Sequence, residues 1–225
     1  MFPEPPTYNR PMARPVEAER TRDRERTRAE ILEVATREFA EHGYSGARVD
    51  EIAERTRTTK RMLYYYFDSK ERLYTEVLER AYAQIRTAER DLDVEHLEPL
   101  AAIRRLAELT FDHHEAHPDF IRLVSIENIH RAEHMRASHR FADLNTPAID
   151  RIDRILQRGR AEGTFTRAAD ALDVHMMISA FCVFRVANQH TWATLFRRDL
   201  LDPALRERYR RMLGDMVVDY LTAEG

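Results

Sequence analysis

Residues 26–74 read RTRAEILEVATREFAEHGYSGARVDEIAERTRTTKRMLYYYFDSKERLY, and the order of elements in this stretch decides the fold. Apolar residues at helical spacing from Ile31 to Phe39 predict a helix that ends at Gly43. A short helix follows with Val49 and Ile52 on its apolar face, and a polar stretch at 56–59 separates it from a second short helix. Two short helices joined by a tight turn form the helix-turn-helix pattern, which an ordinary helical hairpin would also show.

Positive charge is concentrated on the second half of this stretch. Between residues 55 and 72 there are six Lys or Arg and two Asp or Glu, a local balance of +4 in a chain whose net charge is −3. The overall charge therefore does not indicate a nucleic-acid partner, but the local patch suits the neutralisation of phosphates.

Four aromatic residues, 64–67, follow one another in the second short helix. Because neighbours on a helix lie about 100° apart, some of these rings must face solvent, where a Tyr hydroxyl can bind phosphate. We predict Thr59 as the N-cap of this helix, and Asp68 with Glu71 as the capping box of the next one. Both helix N-termini would then offer free N–H groups to an anion.

At this point the stretch resembles the N-terminal domain of the TetR family of transcriptional repressors. The resemblance covers about 50 residues, and its separate elements are spaced as in the family. They are Phe39 to Gly43, Val49 to Ala53, Leu63-Tyr64-Tyr65-Tyr66-Phe67 and Ser69-Lys70-Glu71-Arg72-Leu73.

The resemblance implies roles for single residues of the DNA-reading segment within residues 48–70, called the reader below. Thr59 would cap the recognition helix and meet phosphate, while Lys60, Arg61 and Met62 would face base edges, Arg61 reading guanine. Leu63 and Phe67 would be core, and Tyr64 would be divided between core and groove. The DNA-binding set that it implies is Arg48, Thr59, Lys60, Arg61, Met62, Tyr64, Tyr65, Tyr66 and Lys70.

The turn departs from the family pattern. Arg57 and Thr58 stand where the family usually has Gly and an apolar residue, and Gly is the residue that adopts a positive φ without strain. This departure leaves open an activator, or a ligand-binding protein with weakened DNA affinity. The arginines at 22, 24, 26 and 28 alternate with acidic residues, so we expect a solvated face there, with a DNA-flanking role as the weaker alternative.

Working outward, the remaining chain predicts an all-α protein of about nine helices, in which a three-helix helix-turn-helix domain precedes a C-terminal helical bundle. We expect residues 1–24 to be a disordered extension, 25–72 to bind DNA, and 73–225 to bind an effector and form the dimer. Pro99, Pro118, Asp170 and Asp202-Pro203 mark helix starts, as does Thr146-Pro147. We predict a single helix over 170–196.

The C-terminal body is expected to serve dimerisation and ligand binding. The last two predicted helices are apolar over broad faces, which fits the four-helix dimer interface that the resemblance implies, although a monomer core could also absorb part of that surface. The family's middle helices enclose an effector pocket, and for each polar candidate surface exposure or an internal salt bridge is the alternative. The candidates are Phe111, His114, Phe120, Leu123, Glu127, His130, Met177, Phe181, Phe184, Arg185 and Asn188.

Other function classes are less well supported. Glu127 and His130 form one E-x-x-H string, but di-iron helical bundles need two such motifs and further carboxylates, so we expect no enzyme. The histidine pairs 113/117 and 130/134 are read as solvated residues, and we expect no metal or other cofactor. With one cysteine, no signal peptide and no membrane span, we expect a cytoplasmic protein. The resemblance implies a homodimer, with double-stranded DNA and an unidentified small molecule as partners.

Overall fold

A computed structural model describes residues 15–136 and 138–223, with side chains from residue 21 onward. These residues form helices joined by short loops, with no strand among them, so the predicted all-α class is confirmed. There are eleven helices in the described part of the chain rather than nine. They are α1 (Pro15–Gly46), α2 (Val49–Arg55), α3 (Lys60–Phe67), α4 (Lys70–Asp91), α5 (Pro99–Ala116), α6 (Pro118–Ile129), α7 (Glu133–Arg136), α8 (Arg140–Ala161), α9 (Ala171–Ala187), α10 (Gln189–Phe196) and α11 (Pro203–Thr222).

The first three helices pack around a closed apolar centre. Phe39 of α1, Ile52 of α2 and Leu63 of α3 are at most 1% exposed, and Phe67 lies beside them. The same core continues into α4 and α6, so the helix-turn-helix unit rests directly on the C-terminal body. Leu63 and Phe67 are therefore core residues, as predicted.

The turn between α2 and α3 forms despite its unusual residues. Arg57 adopts the left-handed conformation, with a φ of 50°. The backbone N–H of Arg57 donates to the carbonyl of Glu54 at 3.1 Å, and that of Thr58 donates to the carbonyl of Ala53 at 2.9 Å. Arg57 thus takes the backbone conformation for which the family usually uses Gly. The backbone at Arg57 is strained, and its side chain is exposed.

The prediction of a disordered extension over residues 1–24 is wrong for residues 15–24. Residues 1–14 lie outside the described residues, but α1 already begins at Pro15 and runs on without a break into the predicted first helix. The segment 16–30 consists mainly of Glu, Arg and Ala, which favour a helix strongly enough to extend it. Arg24 and Arg28 then reach the helix-turn-helix unit, and Arg28 forms an ion pair with Glu76.

Two predicted helix starts are also wrong. Ser69, not Asp68, caps α4 by accepting a hydrogen bond from the Arg72 N–H at 3.0 Å, because Asp68 takes a φ of 60° in the tight link after α3. Likewise, Thr146 caps no helix. Pro147 lies inside α8, which begins at Arg140, and the Thr146 hydroxyl donates back to the carbonyl of Ala142 within that helix.

The helix predicted over 170–196 is two helices. Asn188 ends α9, and α10 leaves at an angle of 69°. The other predicted starts are confirmed, since Asp170 and Asp202 accept cap hydrogen bonds and Pro99, Pro118 and Pro203 lie in first turns. No single helix in the described part is long and apolar enough to span a membrane, although α9 and α10 together pass that test as a bent pair.

A second core fills the C-terminal body. Ile103 and Phe111 of α5 are fully buried together with Val174 of α9 and Leu213 of α11. Outside this core, Arg206 and Arg210 of α11 form ion pairs with acidic residues of α5, among them Asp112. The apolar layer and the ion pairs both fix α11 against α5. Helices α4, α8 and α9 also pack against α5.

Candidate functional site

The N-terminal end of α3 presents an exposed row of side chains. Thr59 is extended and its hydroxyl accepts a hydrogen bond from the Met62 N–H at 3.2 Å, as the predicted N-cap should. Lys60, Arg61 and Met62 follow, all exposed. Lys60 lies 3.3 Å from the carboxylate of Asp50, whereas Arg61 has no ion pair or hydrogen bond from its side chain to any described residue. The Arg61 guanidinium is therefore free to bind a partner.

The aromatic run divides between core and surface. Tyr65 is 62% exposed and Tyr64 37%, while Tyr66 is half-buried and meets Tyr65 edge to face with 5.6 Å between the ring centroids. The hydroxyl of Tyr65 accepts a hydrogen bond from Arg24 at 3.2 Å, and the Arg24 guanidinium lies over its ring. The long first helix thus adds a cation to this surface. The sequence predicts a solvated face for the arginines before Ile31, because acidic residues alternate with them, but Arg24 contacts Tyr65.

Lys70 and Arg48 stand at the two flanks of the row. Lys70 is half-buried, its Nζ lies 5.0 Å from the centre of the Tyr44 ring, and burial lowers its pKa while the charge of Glu38 opposes that shift. Arg48 is exposed, and its backbone N–H donates to Glu38 at 3.0 Å. Glu38, 2% exposed, also lies 3.4 Å from Arg55. This buried carboxylate fixes α2 against α1, a role that the sequence did not show.

The predicted effector residues do not converge on one site. Phe120 and His114 are neighbours, with ring centroids 5.5 Å apart. Phe111 and Arg185 form a separate pair, the guanidinium 4.0 Å from the ring centre. Leu123 belongs to the core beneath the helix-turn-helix unit, and His130 and Phe184 are exposed. Met177 and Phe181 are half-buried on α9, and Asn188 separates α9 from α10.

Arg185 and Glu127 already have partners inside the protein. Arg185, 3% exposed, donates to Glu115 at 2.8 Å and to the carbonyl of Leu200 at 3.0 Å. Glu127, 1% exposed, lies 3.0 Å from Nδ1 of His134. For Arg185 the structure shows the internal ion pair that is the alternative to ligand binding, and for Glu127 it shows an internal hydrogen-bonding contact with an imidazole.

His134 links the C-terminal body to the reader. Its ring centroid lies 4.3 Å from that of Tyr44, at the end of α1, and 4.8 Å from that of Tyr74 in α4. Tyr44 in turn lies under Lys70. Ring contacts therefore run without a gap from His134 of α7 through Tyr44 to Lys70 in the first turn of α4. Arg131 and Ala132, between α6 and α7, both have φ above 50°, so this junction is strained.

A group of buried polar residues that sequence reasoning missed lies between α4, α5, α8 and α9. A groove of about 520 Å³ opens between α4 and α8, and Arg86 and Glu89 form part of its wall. His113 and His114 of α5 are buried, and burial lowers the pKa of His113 to about 3 and that of His114 to about 4. Burial also lowers the pKa of His175 of α9. The positive charge of Arg86 contributes to all three shifts.

Little in the sequence pointed to this group. Arg86 and Glu89 fall on a charged stretch that resembles a solvated helix face, and only His114 of the buried imidazoles was among the candidates. Among the described residues, no set of three or more His, Cys, Asp or Glu is placed to hold a metal ion.

The helices at the end of the chain leave large apolar side chains in solvent. Leu172 and Met176 of α9 are 61% and 64% exposed, and Met216 of α11 is 43% exposed. Leu195 and Phe196 of α10 are likewise exposed. Leu172 and Met176 lie one turn apart on α9, and exposed apolar side chains of this size are typical of an interface.

Comparisons with known proteins agree on one family. The family description "Bacterial regulatory proteins, tetR family" matches residues 31–77, and "Tetracyclin repressor-like, C-terminal domain" matches residues 99–217. The repressor NicS of Pseudomonas putida is 31% identical over 199 residues, covering 88% of this chain and 94% of that protein. The repressor SCO4008 of Streptomyces coelicolor is 38% identical over 108 residues, 48% of this chain and 53% of that protein.

Solved structures show the same architecture. The putative transcriptional regulator SCO4942 from Streptomyces coelicolor superimposes with a TM-score of 0.66 at 28% identity, covering 88% of this chain and 99% of that one. The ketosteroid regulator KstR2 of Mycobacterium tuberculosis has a TM-score of 0.66 at 24% identity, covering 88% of this chain and 95% of that one, and it shares the fold.

Proposed function

This chain belongs to the TetR family of transcriptional regulators, and from that premise we propose that it works as a homodimer on an inverted-repeat operator and leaves it when a small molecule binds. Regulation of transcription through helix-turn-helix DNA binding is the activity of the family. The dimer, the operator symmetry, the ligand and the residues that contact them are the parts that we propose. We divide the chain accordingly into a DNA-binding part up to residue 72 and an effector and dimerisation part from residue 73.

The unpaired Arg61 guanidinium carries the proposal for DNA recognition. An exposed arginine on the first turn of a recognition helix can donate to O6 and N7 of guanine, and Arg61 has no competing partner among the described residues. Lys60 is exposed beside it but forms an ion pair with Asp50. Thr59, Tyr65 and Lys70 supply a helix N-terminus, a hydroxyl and an ammonium group that suit phosphates along the groove.

The proposed dimer is supported by the small size of the reader and by the exposed apolar side chains of α9 and α11. One recognition helix reads few base pairs, and a twofold dimer doubles the site with half-sites about 34–36 Å apart. Leu172, Met176 and Met216 would be removed from water by a second copy, as in the family's helical interface. No membrane partner and no catalytic role are proposed.

A gel-shift titration against the DNA upstream of the protein's own gene tests DNA recognition. Arg61→Ala should change the sequence preference, because each good arginine–guanine pair is worth about 1–3 kcal/mol of discrimination. Lys70→Ala should weaken binding to all sequences alike and reduce the slope of log K against log salt by about one, since one phosphate is no longer neutralised. Failure to obtain any salt-sensitive, sequence-specific shift would overturn the proposal.

Arg160→Ala is a matched control for both variants. Arg160 is exposed near the end of α8, on the C-terminal body, and forms no ion pair with a described residue. Its removal takes away one positive charge without touching the reader, so DNA affinity should stay within about twofold at 0.15 M salt, where the Debye length is about 8 Å. An equal decrease in affinity in all three variants would mean that net charge, and not the proposed contacts, sets the affinity.

A further inference from the structure

We propose that the effector of this regulator is a small organic carboxylate with an apolar body, bound between α4, α5 and α8 with its acid group on Arg86 and beside His113 and His114. The inference rests on the proposed function in one respect, that a small molecule controls DNA binding. It places the site on residues that the family resemblance did not indicate, apart from His114 and Phe120.

Unused hydrogen-bonding capacity is concentrated at this point of the interior. Nε and Nη1 of Arg86 have no hydrogen-bond partner in the described chain, although the side chain is only 12% exposed. Both ring nitrogens of His113 and Nδ1 of His114 are also unpartnered, and these residues are 8% and 4% exposed. Oε2 of Glu89 is likewise unpaired. Buried polar atoms are nearly always paired in folded proteins, so a cluster of unpaired donors and acceptors fits a place where a polar ligand binds.

Positive charge exceeds negative charge by one in the wall of the groove, which contains Arg86, Arg90, Arg151 and Arg154 with Glu89, Asp143 and Asp150. Glu89 lies 2.7 Å from Nη1 of Arg86, but the contact lacks hydrogen-bond geometry, and it leaves Nε free. The guanidinium of Arg151 on α8 is occupied by backbone carbonyls at the end of α4. The imidazoles of α5 and α9 are neutral, because burial holds their pKa values below the usual range, so they can donate an N–H without adding charge.

Aromatic side chains lie next to the imidazoles of α5 and would contact the apolar body of the ligand. The Phe120 ring lies 5.5 Å from His114, 6.1 Å from His113 and 5.2 Å from Tyr82, measured between centroids. Phe141 closes the far side of Tyr82 at 5.6 Å. The groove with Arg86 in its wall has a volume of about 520 Å³, within the range of small-molecule sites. His113 lines a separate opening, and Ala83 and Thr87 form part of the wall of both.

The position of Arg86 also connects the site to DNA. Arg86 lies sixteen residues after Lys70 on the unbroken helix α4, a distance of about 24 Å along the axis. A ligand that draws Arg86 toward α5 therefore tilts the helix whose first turn carries the proposed phosphate contact.

The test uses the full-length protein with two matched pairs of probes, benzoate with benzamide and hexanoate with hexanamide. Isothermal titration calorimetry measures binding, and fluorescence anisotropy of labelled upstream DNA measures release. The carboxylates should bind and release DNA, and each neutral amide should bind at least tenfold more weakly. Equal binding of acid and amide, or no binding of either acid, would overturn the inference.

Variants then locate the acid group. Arg86→Gln should weaken benzoate binding at least tenfold, while Arg154→Gln, on the exposed rim of the same groove, should leave it within twofold. Since Arg86→Gln could disturb folding, a second measurement uses the unaltered protein, in which benzoate should shift the NMR signals of the His113 and His114 rings. Unchanged affinity in folded Arg86→Gln, or no shift of those signals, would also overturn the inference.

The two proposals fail separately. Sequence-specific DNA binding without carboxylate binding would leave the regulator intact and remove only this ligand class. Carboxylate binding without any DNA shift would instead contradict the proposed function.

Discussion

The reader surface on α3 and the polar interior behind α4 use the same kinds of side chains in opposite surroundings. Arg61 and Tyr65 on the reader face solvent, and most of the proposed contacts lie within residues 48–70 of the chain. In the interior, Arg86 is half-buried and His114 is buried, and His175, whose charge adds to burial in lowering the pKa of His114, comes from a helix nearly ninety residues beyond Arg86. Exposed groups keep their hydration until DNA arrives, whereas buried ones must be paired or neutral in the folded protein.

The difference explains why the two regions constrain the sequence differently. A reader needs one cap, one turn and a few outward side chains, all specified by local chain geometry. An interior site needs helices from distant parts of the chain to pack in one arrangement, so its residues are fixed by tertiary structure. Changes on the reader should therefore affect DNA binding more than stability, and changes in the interior should affect both.

The largest effect that would sharpen this contrast is expected at Arg185. Its guanidinium joins α9 to Glu115 of α5 and to the carbonyl of Leu200, with 3% of the residue exposed. Arg185→Ala leaves the Leu200 carbonyl and Oε2 of Glu115 without this donor, while Oε1 of Glu115 keeps its bond from Arg206. At about 1–3 kcal/mol for each buried acceptor that loses its donor, the variant should cost about 3 kcal/mol. Urea unfolding should show that decrease in the free energy of unfolding.

The surface variant Arg160→Ala provides the comparison in the same experiment. As an exposed substitution, it should change the free energy of unfolding by less than about 0.5 kcal/mol. Unchanged stability in Arg185→Ala, together with a lost response to ligand, would return Arg185 to the effector site where sequence reasoning placed it.

A smaller effect is expected from the buried imidazoles as the pH falls. Their pKa values in the folded protein are lowered to about 3 for His113 and about 4 for His114, so below pH 6.5 the unfolded chain binds more protons than the folded one. Stability is therefore complete above pH 6.5 and is lost as the pH falls toward those lowered values. Between pH 6.5 and 5.5 each imidazole should cost about 1 kcal/mol.

Denaturant titrations at several pH values measure this slope. His113→Asn combined with His114→Asn should flatten it by about 2 kcal/mol over that interval, whereas the exposed His96→Asn should leave it unchanged. A slope that survives the double variant would show that other groups govern the pH dependence.

The sequence allowed prediction where the determinants are local. The cap at Thr59, the starts at Pro99 and Asp170, and the buried positions Leu63 and Phe67 all follow from neighbours within a few residues. Predictions failed where a local pattern had two outcomes. Asp68 and Ser69 both suit an N-cap, and only the left-handed conformation of Asp68 decides between them.

Tertiary context explains the remaining differences. Pro147 would start a helix, but the residues before it already form one, and α8 includes the proline. The interior site escaped notice because Arg86 and Glu89 look like solvated charges until α5 and α8 cover them. Sequence reasoning instead selected Glu127 and Arg185, whose partners His134 and Glu115 could not be identified from spacing along the chain.

The smallest expected effect would test whether the reader is as local as this contrast implies. Arg57 holds a φ of 50° in the exposed turn before α3, a conformation that costs an L-residue about 1–2 kcal/mol and glycine almost nothing. Against this gain, glycine gives the unfolded chain more conformational freedom, which lowers the free energy of unfolding by about 0.4–1 kcal/mol. Arg57→Gly should therefore stabilise the protein by about 0.5 kcal/mol in urea unfolding. Glu54→Gly, in the helical part of α2 just before the turn, should instead destabilise it by about 1 kcal/mol. If both glycines destabilise the protein equally, then contacts of the Arg57 side chain, and not backbone strain, hold the turn, and the reader depends on more than its local geometry.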